Sequence, residues 1–542
     1  MKLKRIYILQ ILVLYNYMLF AQRDTVLSGS IVDVVKDFKP ILSESIKIPI
    51  NPNPEIPEIT KTNFIYEIPN ISFSVEPTIY TIKPLTMGTM LLPKLKGNYL
   101  KVGFGNYTTP FLETYINTVR NKNRQAGFYF NHLSSAGDND FNNFSNNKIK
   151  GYIKEFAEKN IYSLDVGYNR IRVNQFGFQN DLQPSKDSLK NIYNQINING
   201  GYELLRKDSS EKTRFGLSYN YFGSNRNINE NNILFTSLIT RKASGVPVSL
   251  PISVQHNAIS INANDYQRTF ININPEASLT ENEFYIKAGF NSTIYSDSIS
   301  PRLYFFPKAE AAFHVVPQKL TVLAGITGNI RPHTFRCIAT ENPFATNIQF
   351  RNEINKFEIY GGIKGQLSKR SSFNIFSSTS NIENMLFYAN DTLTGVQRTV
   401  YDDRTGSLVK LGFEADYQVS TKFMIAFSGT LYNYKLNNLS HPFSRPGFEY
   451  KLNMLYNMGD KFVLRTDIFY MNQRFGAIRV ADNDYVFTMN PFTDANIALD
   501  YRYNKNVSAF IQCNNIANNR YQIWLNHPVY GFNLLAGLTF TF

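Results

Sequence analysis

The sequence predicts an all-β protein, an antiparallel β-barrel that spans a membrane, and three observations point to it. Aromatic residues are abundant (43 Phe, 34 Tyr and one Trp) while mean hydropathy is negative at −0.27. From residue 97 onward apolar and polar residues alternate with period two over long stretches. The connections between those stretches are short and long by turns. Strands that show an apolar face to one side and a polar face to the other produce all three, because successive side chains of a strand point to opposite faces.

Composition excludes the main competitors. With 14% aromatic residues the chain carries more apolar surface than a solvated coil tolerates, so it is not a disordered protein. After residue 22 no stretch approaches the ~20 consecutive apolar residues of a spanning helix. Two distant cysteines, Cys337 and Cys513, exclude a disulfide framework and a cysteine-based zinc site. A single Cys337–Cys513 bridge is the one pairing left, and the strand placement argues against it.

Taken from the start, residues 1–22 (MKLKRIYILQILVLYNYMLFAQ) carry Lys2, Lys4 and Arg5, then a mainly apolar run from Ile6 to Leu14, then Ala21 before a cut at Gln22. This is the pattern of a secretory signal peptide, and with no Cys after it no lipoprotein anchor is expected. Residues 23–96 are punctuated by proline, which removes ladder donors and breaks helices, so an extended periplasmic arm is expected there. Residues 97–542 form the barrel. In the last strand Phe532, Leu534, Ala536, Leu538, Phe540 and Phe542 share one face. Val409, Leu411, Phe413 and Ala415 alternate with Lys410, Glu414 and Asp416, and Ile497, Leu499 and Tyr501 with Ala498, Asp500 and Arg502.

Nine short polar links, such as Glu158–Asn160 and Gly459–Asp460, alternate with ten mostly longer ones, such as Gly177–Lys190, Thr334–Asn355 and Asn472–Asp494. Nineteen connections give twenty strands, an even number that brings both ends to the short-turn side. A further hairpin (Ile233–Thr240, Val246–Val254) inside the Ser224–Gln255 link makes twenty-two the alternative. The expected strands run about 10–14 residues, longer than the ~5–6 of soluble sheets and matched to the ~9–11 tilted residues that cross hydrocarbon. Tyr107, Tyr432, Tyr434, Tyr470, Tyr501, Tyr503 and Phe540 at strand ends suit interfacial aromatic girdles.

The C-terminal stretch FIQCNNIANNRYQIWLNHPVYGFNLLAGLTFTF resembles the ending of TonB-dependent outer-membrane receptors through Asn514, Asn515, Ile516, Tyr521, Gly531 and the terminal Phe542. The resemblance is specific over about thirty residues and textural over the rest. It implies an outer-membrane barrel, with Leu538, Phe540 and Phe542 as the signal read by the barrel-assembly machinery. It also implies a folded plug domain before the barrel, which residues 23–96 are too few and too proline-rich to supply. The short run SIVDVVKDFKP in that arm is weakly similar to the box that engages TonB, so TonB or another envelope protein is the expected partner of residues 23–96.

No catalytic constellation, phosphate loop or metal-ligand spacing is present: the six histidines are scattered, and neither an enzyme nor a cofactor is expected. The net charge of +14 is assigned to lumen, turns and anionic outer-leaflet lipid rather than to nucleic acid. Charges facing lipid at midplane cost a few kcal/mol each, so Arg465, Asp467, Asp500, Arg502, Lys410, Glu414 and Asp416 are expected to line the lumen. Passage of solutes across the outer membrane is the leading expectation. The competing one is a non-transporting structural or assembly barrel whose arm docks an envelope partner, which a lumen blocked by the arm or the long loops favours.

Overall fold

The structure is a computed structural model that describes residues 97–542 apart from short stretches (119–120, 139–140, 179–184, 186, 207, 209, 263, 298–299, 318, 392–394 and 481–482). The expected signal peptide over 1–22 and the arm over 23–96 lie outside the described residues. Twenty-two antiparallel strands close into a barrel. The first strand, Asn98–Gly105, pairs with the last, Asn533–Thr541, from Tyr99↔Thr541 to Gly105↔Leu535. Closure leaves the sheet no free edge, which is what a sheet in lipid requires.

The higher of the two expected strand numbers holds. The long 224–255 link contains the hairpin Ile228–Ala243 and Val246–Ile261, turned at Ser244–Gly245 with φ of 50° and 84°. Positive φ at both central residues matches the twist of a hairpin. Polar Asn229–Asn232 and Pro247 and Pro251 obscure its alternation in the sequence. One wall strand is divided at Asn274–Pro275, between Asn264–Ile273 and Glu276–Thr280, because Pro275 has no N–H to give the ladder.

Outside, the wall is apolar: Leu164, Val166, Ile196, Ile198, Leu217, Phe235, Leu411 and Phe413 are all exposed. A continuous apolar belt of this kind is foreign to a water-soluble surface and fits hydrocarbon. Wall height is uneven. Strands Ser371–Asp391 and Gln397–Ser420 have 21 and 24 residues, whereas Asn98–Gly105 and Val507–Asn514 have eight each. At ~3.3 Å per residue the longest strand measures about 80 Å, and even tilted by ~45° it rises well past ~30 Å of hydrocarbon. In its outer reach alternation disappears: Met385, Leu386, Phe387, Tyr388 and Ala389 are buried in succession, because loops cover both faces.

Candidate functional site

The long connections fold together at the outer mouth. In the 333–351 connection a short helix, Phe335–Glu341, starts at Thr334, whose side chain accepts from Cys337 N at 3.2 Å. It buries Phe335 and Ala339 against Tyr193, Phe222 and Ile259 of the wall, and Ile338 against Leu386, Tyr388 and Tyr401. Ala345–Asn347 then pairs in parallel with Gln397–Arg398, and the hairpin Arg474–Val480 and Asn483–Met489 lays Ile478–Arg479 beside Asn390–Asp391. A small hairpin, Gln522–Trp524 and His527–Pro528, sits among them.

Side chains lock these loops to distant walls. Asn191 Nδ2 and Tyr193 OH both donate to Pro343 O, at 3.2 and 2.8 Å. Gln175 Nε2 donates to Phe344 O at 3.2 Å, Asn390 Nδ2 to Leu525 O at 3.0 Å, and Arg474 Nη1 to Ile523 O at 3.0 Å. Gly177 and Gly395 belong to connections nearly opposite each other around the ring, yet a Cβ on Gly395 would stand 2.6 Å from the Gly177 carbonyl carbon. Both have positive φ, 94° and 66°, so only glycine allows this backbone-to-backbone meeting across the mouth. The 436–447 connection is held by one buried carboxylate: Asp402 Oδ1 accepts from the N–H groups of Asn437, Asn438 and Leu439 at 3.0, 2.6 and 3.3 Å.

Below this cap lies a charged cavity of about 530 Å³. Arg331, Arg445, Arg474 and Lys410 contribute positive charge, Glu341, Glu353 and Glu449 negative charge, and Trp524, Tyr432 and Tyr434 ring faces. Arg445 Nη1 pairs with Glu341 Oε1 at 2.6 Å, and Tyr388 OH donates to the other oxygen of that carboxylate at 3.0 Å. Tyr432 OH donates to Glu449 at 2.9 Å. His333 Nε2 lies 3.6 Å from Glu353, too far for a hydrogen bond, and neither ring nitrogen has a hydrogen-bond partner. Burial acts to lower its pKa, but Cys337 and Glu353 outweigh it and hold the imidazole above its usual value. The same neighbour keeps the Cys337 thiol below the usual thiol range. Cys337 and Cys513 are both free.

Of the residues singled out in the sequence, Lys410 lines this cavity. Arg465 Nη2 pairs with Asp500 Oδ2 across adjacent strands. Glu414 accepts from Asn374 Nδ2 at 3.0 Å, Asp416 from Ser372 Oγ at 3.3 Å, and Arg502 reaches Asp460 O at 3.5 Å. Asp467 shares the Arg465 face, register-paired with Asn453 and Asn496. These six stand apart from the cavity lining. Two girdle tyrosines are placed differently from expectation: Tyr432 and Tyr434 face the cavity, because the outward positions of Phe423–Lys435 fall on Leu431, paired with Leu411, and Asn433, paired with Val409. Arg331, His333, Glu341, Glu353, Arg445, Glu449 and Arg474 were not singled out. All lie in or beside the longest connections, where charged and aromatic residues interleave without period, and that interleaving is the one trace they leave in the sequence.

The Asn-Asn-Ile stretch orders the final connection. Asn515, at φ 48°, donates from Nδ2 to Asn519 O and Tyr530 O, both at 2.8 Å. Tyr521 stacks on Phe492 with centroids 3.7 Å apart and donates to Asp494 at 2.7 Å.

No family model and no curated protein matches the sequence. Solved structures match the fold. The pyoverdine outer membrane receptor FpvA from Pseudomonas aeruginosa PAO1 superposes with a TM-score of 0.64 at 10% identity, over 83% of this chain and 79% of that one. The FrpB iron transporter from Neisseria meningitidis gives 0.65 at 13%, over 83% and 82%, and the ferric-catecholate import receptor Fiu from K12 E. coli gives 0.62 at 11%, over 83% and 82%. At such identity the likeness is one of architecture, and that architecture is the 22-strand barrel of TonB-dependent receptors.

Proposed function

We propose that the protein is an integral barrel of the outer membrane, exported by residues 1–22, that captures a solute beneath its outer loops and passes it inward. The observation that carries this reading is the charged cavity under the cap. The lining of this cavity includes a buried Nε of Arg474 without a partner and a buried His333 that reaches Glu353 only at 3.6 Å, polar groups that a ligand would satisfy. The similar structures, a pyoverdine receptor, an iron transporter and a ferric-catecholate import receptor, support transport as the class. In this reading Arg465, Asp467, Asp500, Arg502, Lys410, Glu414 and Asp416 line the route. Leu538, Phe540 and Phe542 address the barrel-assembly machinery, and the 23–96 arm engages TonB or another envelope protein. Neither catalysis nor a cofactor is part of it.

The second reading, a non-transporting structural or assembly barrel whose arm docks an envelope partner, is favoured by the meeting of Gly177 and Gly395 across the mouth. Conductance of the full chain in planar bilayers separates the two. Transport requires that removing Ile523–Pro528 raise conductance, and that Arg465→Gln with Asp467→Asn shift its ion selectivity. A lumen silent in both proteins sinks the transport reading.

A further inference from the structure

A second cavity, of about 330 Å³, lies within the cap itself and shares only the Ile523–Trp524 wall with the charged one. Its chemistry is different. Phe144, Phe176, Phe344, Trp524 and Tyr530 supply ring faces, and among the described residues no Lys, Arg, Asp or Glu lines it. Two residues of its lining carry buried polar atoms that have no hydrogen-bond partner. His527 is 3% exposed, and its Nδ1 lies 2.9 Å from Leu525 O. A carbonyl oxygen only accepts, so Nδ1 carries the proton and Nε2 is left as a lone-pair acceptor, buried and unpaired. Phe344 and Phe176, with centroids 4.2 and 5.0 Å from the imidazole, hold the ring in place. Asn174 is 4% exposed, and its Oδ1 is likewise buried without a partner.

We infer that this cavity is a binding site for an uncharged planar aromatic compound carrying two hydrogen-bond donors, whose ring lies among the phenyl and indole faces while its N–H or O–H groups reach His527 Nε2 and Asn174 Oδ1. Each part of the description has a cause. A charged ligand would be desolvated with no counter-charge on the lining. Ring walls favour offset or edge-on aromatic partners. A sugar brings more hydroxyls than two orphan acceptors satisfy, and each one left over costs binding. Burial also pushes the His527 imidazole down to about 4, which keeps it neutral and therefore an acceptor at ordinary pH. The site stands whether or not the lumen conducts.

The chain's single tryptophan, Trp524, is on the wall of the cavity and reports occupancy directly. Resorcinol is the probe, titrated into the full chain in detergent and followed by Trp524 fluorescence and by calorimetry. The expected result is saturable quenching by resorcinol and about tenfold weaker binding of 1,3-dimethoxybenzene, which keeps the ring and loses both donors. Asn174→Ala is expected to weaken resorcinol about tenfold, and His527→Phe to do the same. Trp524→Phe keeps the calorimetric signal and loses the optical one, which places the probe at this wall. Equal binding of the dimethoxy compound, unchanged affinity in Asn174→Ala, tight binding of methyl β-glucoside, or no saturable signal at all would each overturn the assignment.

Discussion

The barrel wall and the cap of outer loops obey different rules. Along the wall, partners in space are neighbours in the chain, every rung repeats the last, and stability comes from backbone pairing and from lipid on one face. In the cap, partners lie far apart in sequence: Gln175 meets Phe344, Asn390 meets Leu525, and Tyr530 meets Asn142. There, burial on both faces replaces lipid, and single polar anchors such as Asp402 decide whether a loop stays down. The wall is a repetitive structure in which errors cost what the bilayer charges for them; the cap is a small soluble-like core in which they cost what a lost buried partner costs.

That contrast breaks most visibly on the lipid face. Leu411→Arg places a cation against hydrocarbon and is expected to lower the stability of the folded barrel by about 3 kcal/mol, while the adjacent lumen position tolerates Lys410. Urea titration of folding into lipid vesicles reads the difference, and a cost below that of a rim position would mean that the faces are assigned wrongly.

The cap responds to acid through His527. His527 has its folded pKa lowered to about 4 from 6.5, so between those values the unfolded hairpin binds the proton more readily than the folded one. The stabilisation is therefore complete above about pH 6.5 and is lost as pH falls towards 4, amounting to about 3 kcal/mol for a shift of this size. Hydrogen exchange in residues 522–528 is expected to accelerate over that window in the native chain and to be flat in His527→Gln. His333 acts with the opposite sign, since its pKa is raised: what it contributes is present below about 6.5 and fades as pH rises above the raised value.

Asp402→Asn is the next smaller test. It keeps the shape of the anchor and removes the charge that faces three N–H groups, with an expected loss of about 2 kcal/mol confined to local opening of 436–447. Limited proteolysis should find that loop and leave the wall intact; global unfolding would show that cap and wall are one cooperative unit. Smallest of all is Arg465→Gln. With the arginine nearly half exposed, its pair with Asp500 is worth no more than about 1 kcal/mol, so the thermal midpoint should hold still while ion selectivity moves.

How far the sequence is legible follows the same division. Alternation such as Val409-Lys410-Leu411 names the wall strands and their faces because lipid and water impose period two on every residue between them. The hairpin Ile228–Ala243 and Val246–Ile261 was readable only as an alternative, since asparagines and prolines interrupt its pattern. The cap cavity was not legible at all. Arg445 and Glu341 come from loops of different hairpins, and nothing local in the sequence announces that they meet. Tyr432 and Tyr434 were misplaced for a related reason: a tyrosine near a strand end looks the same whether it faces headgroups or a covered lumen.

The unequal height of the wall gives the outer surface a front and a back. On one flank the 21- and 24-residue strands stand above the membrane as a parapet, and on the other the eight-residue strands beside the closing seam end close to the headgroups. The aromatic cavity draws Tyr530 from the connection before the closing strand and Phe144 from the first residue of the strand Phe144–Phe156. A body too large to enter the mouth therefore meets the tall flank first, and the low flank is the shorter way to the cap.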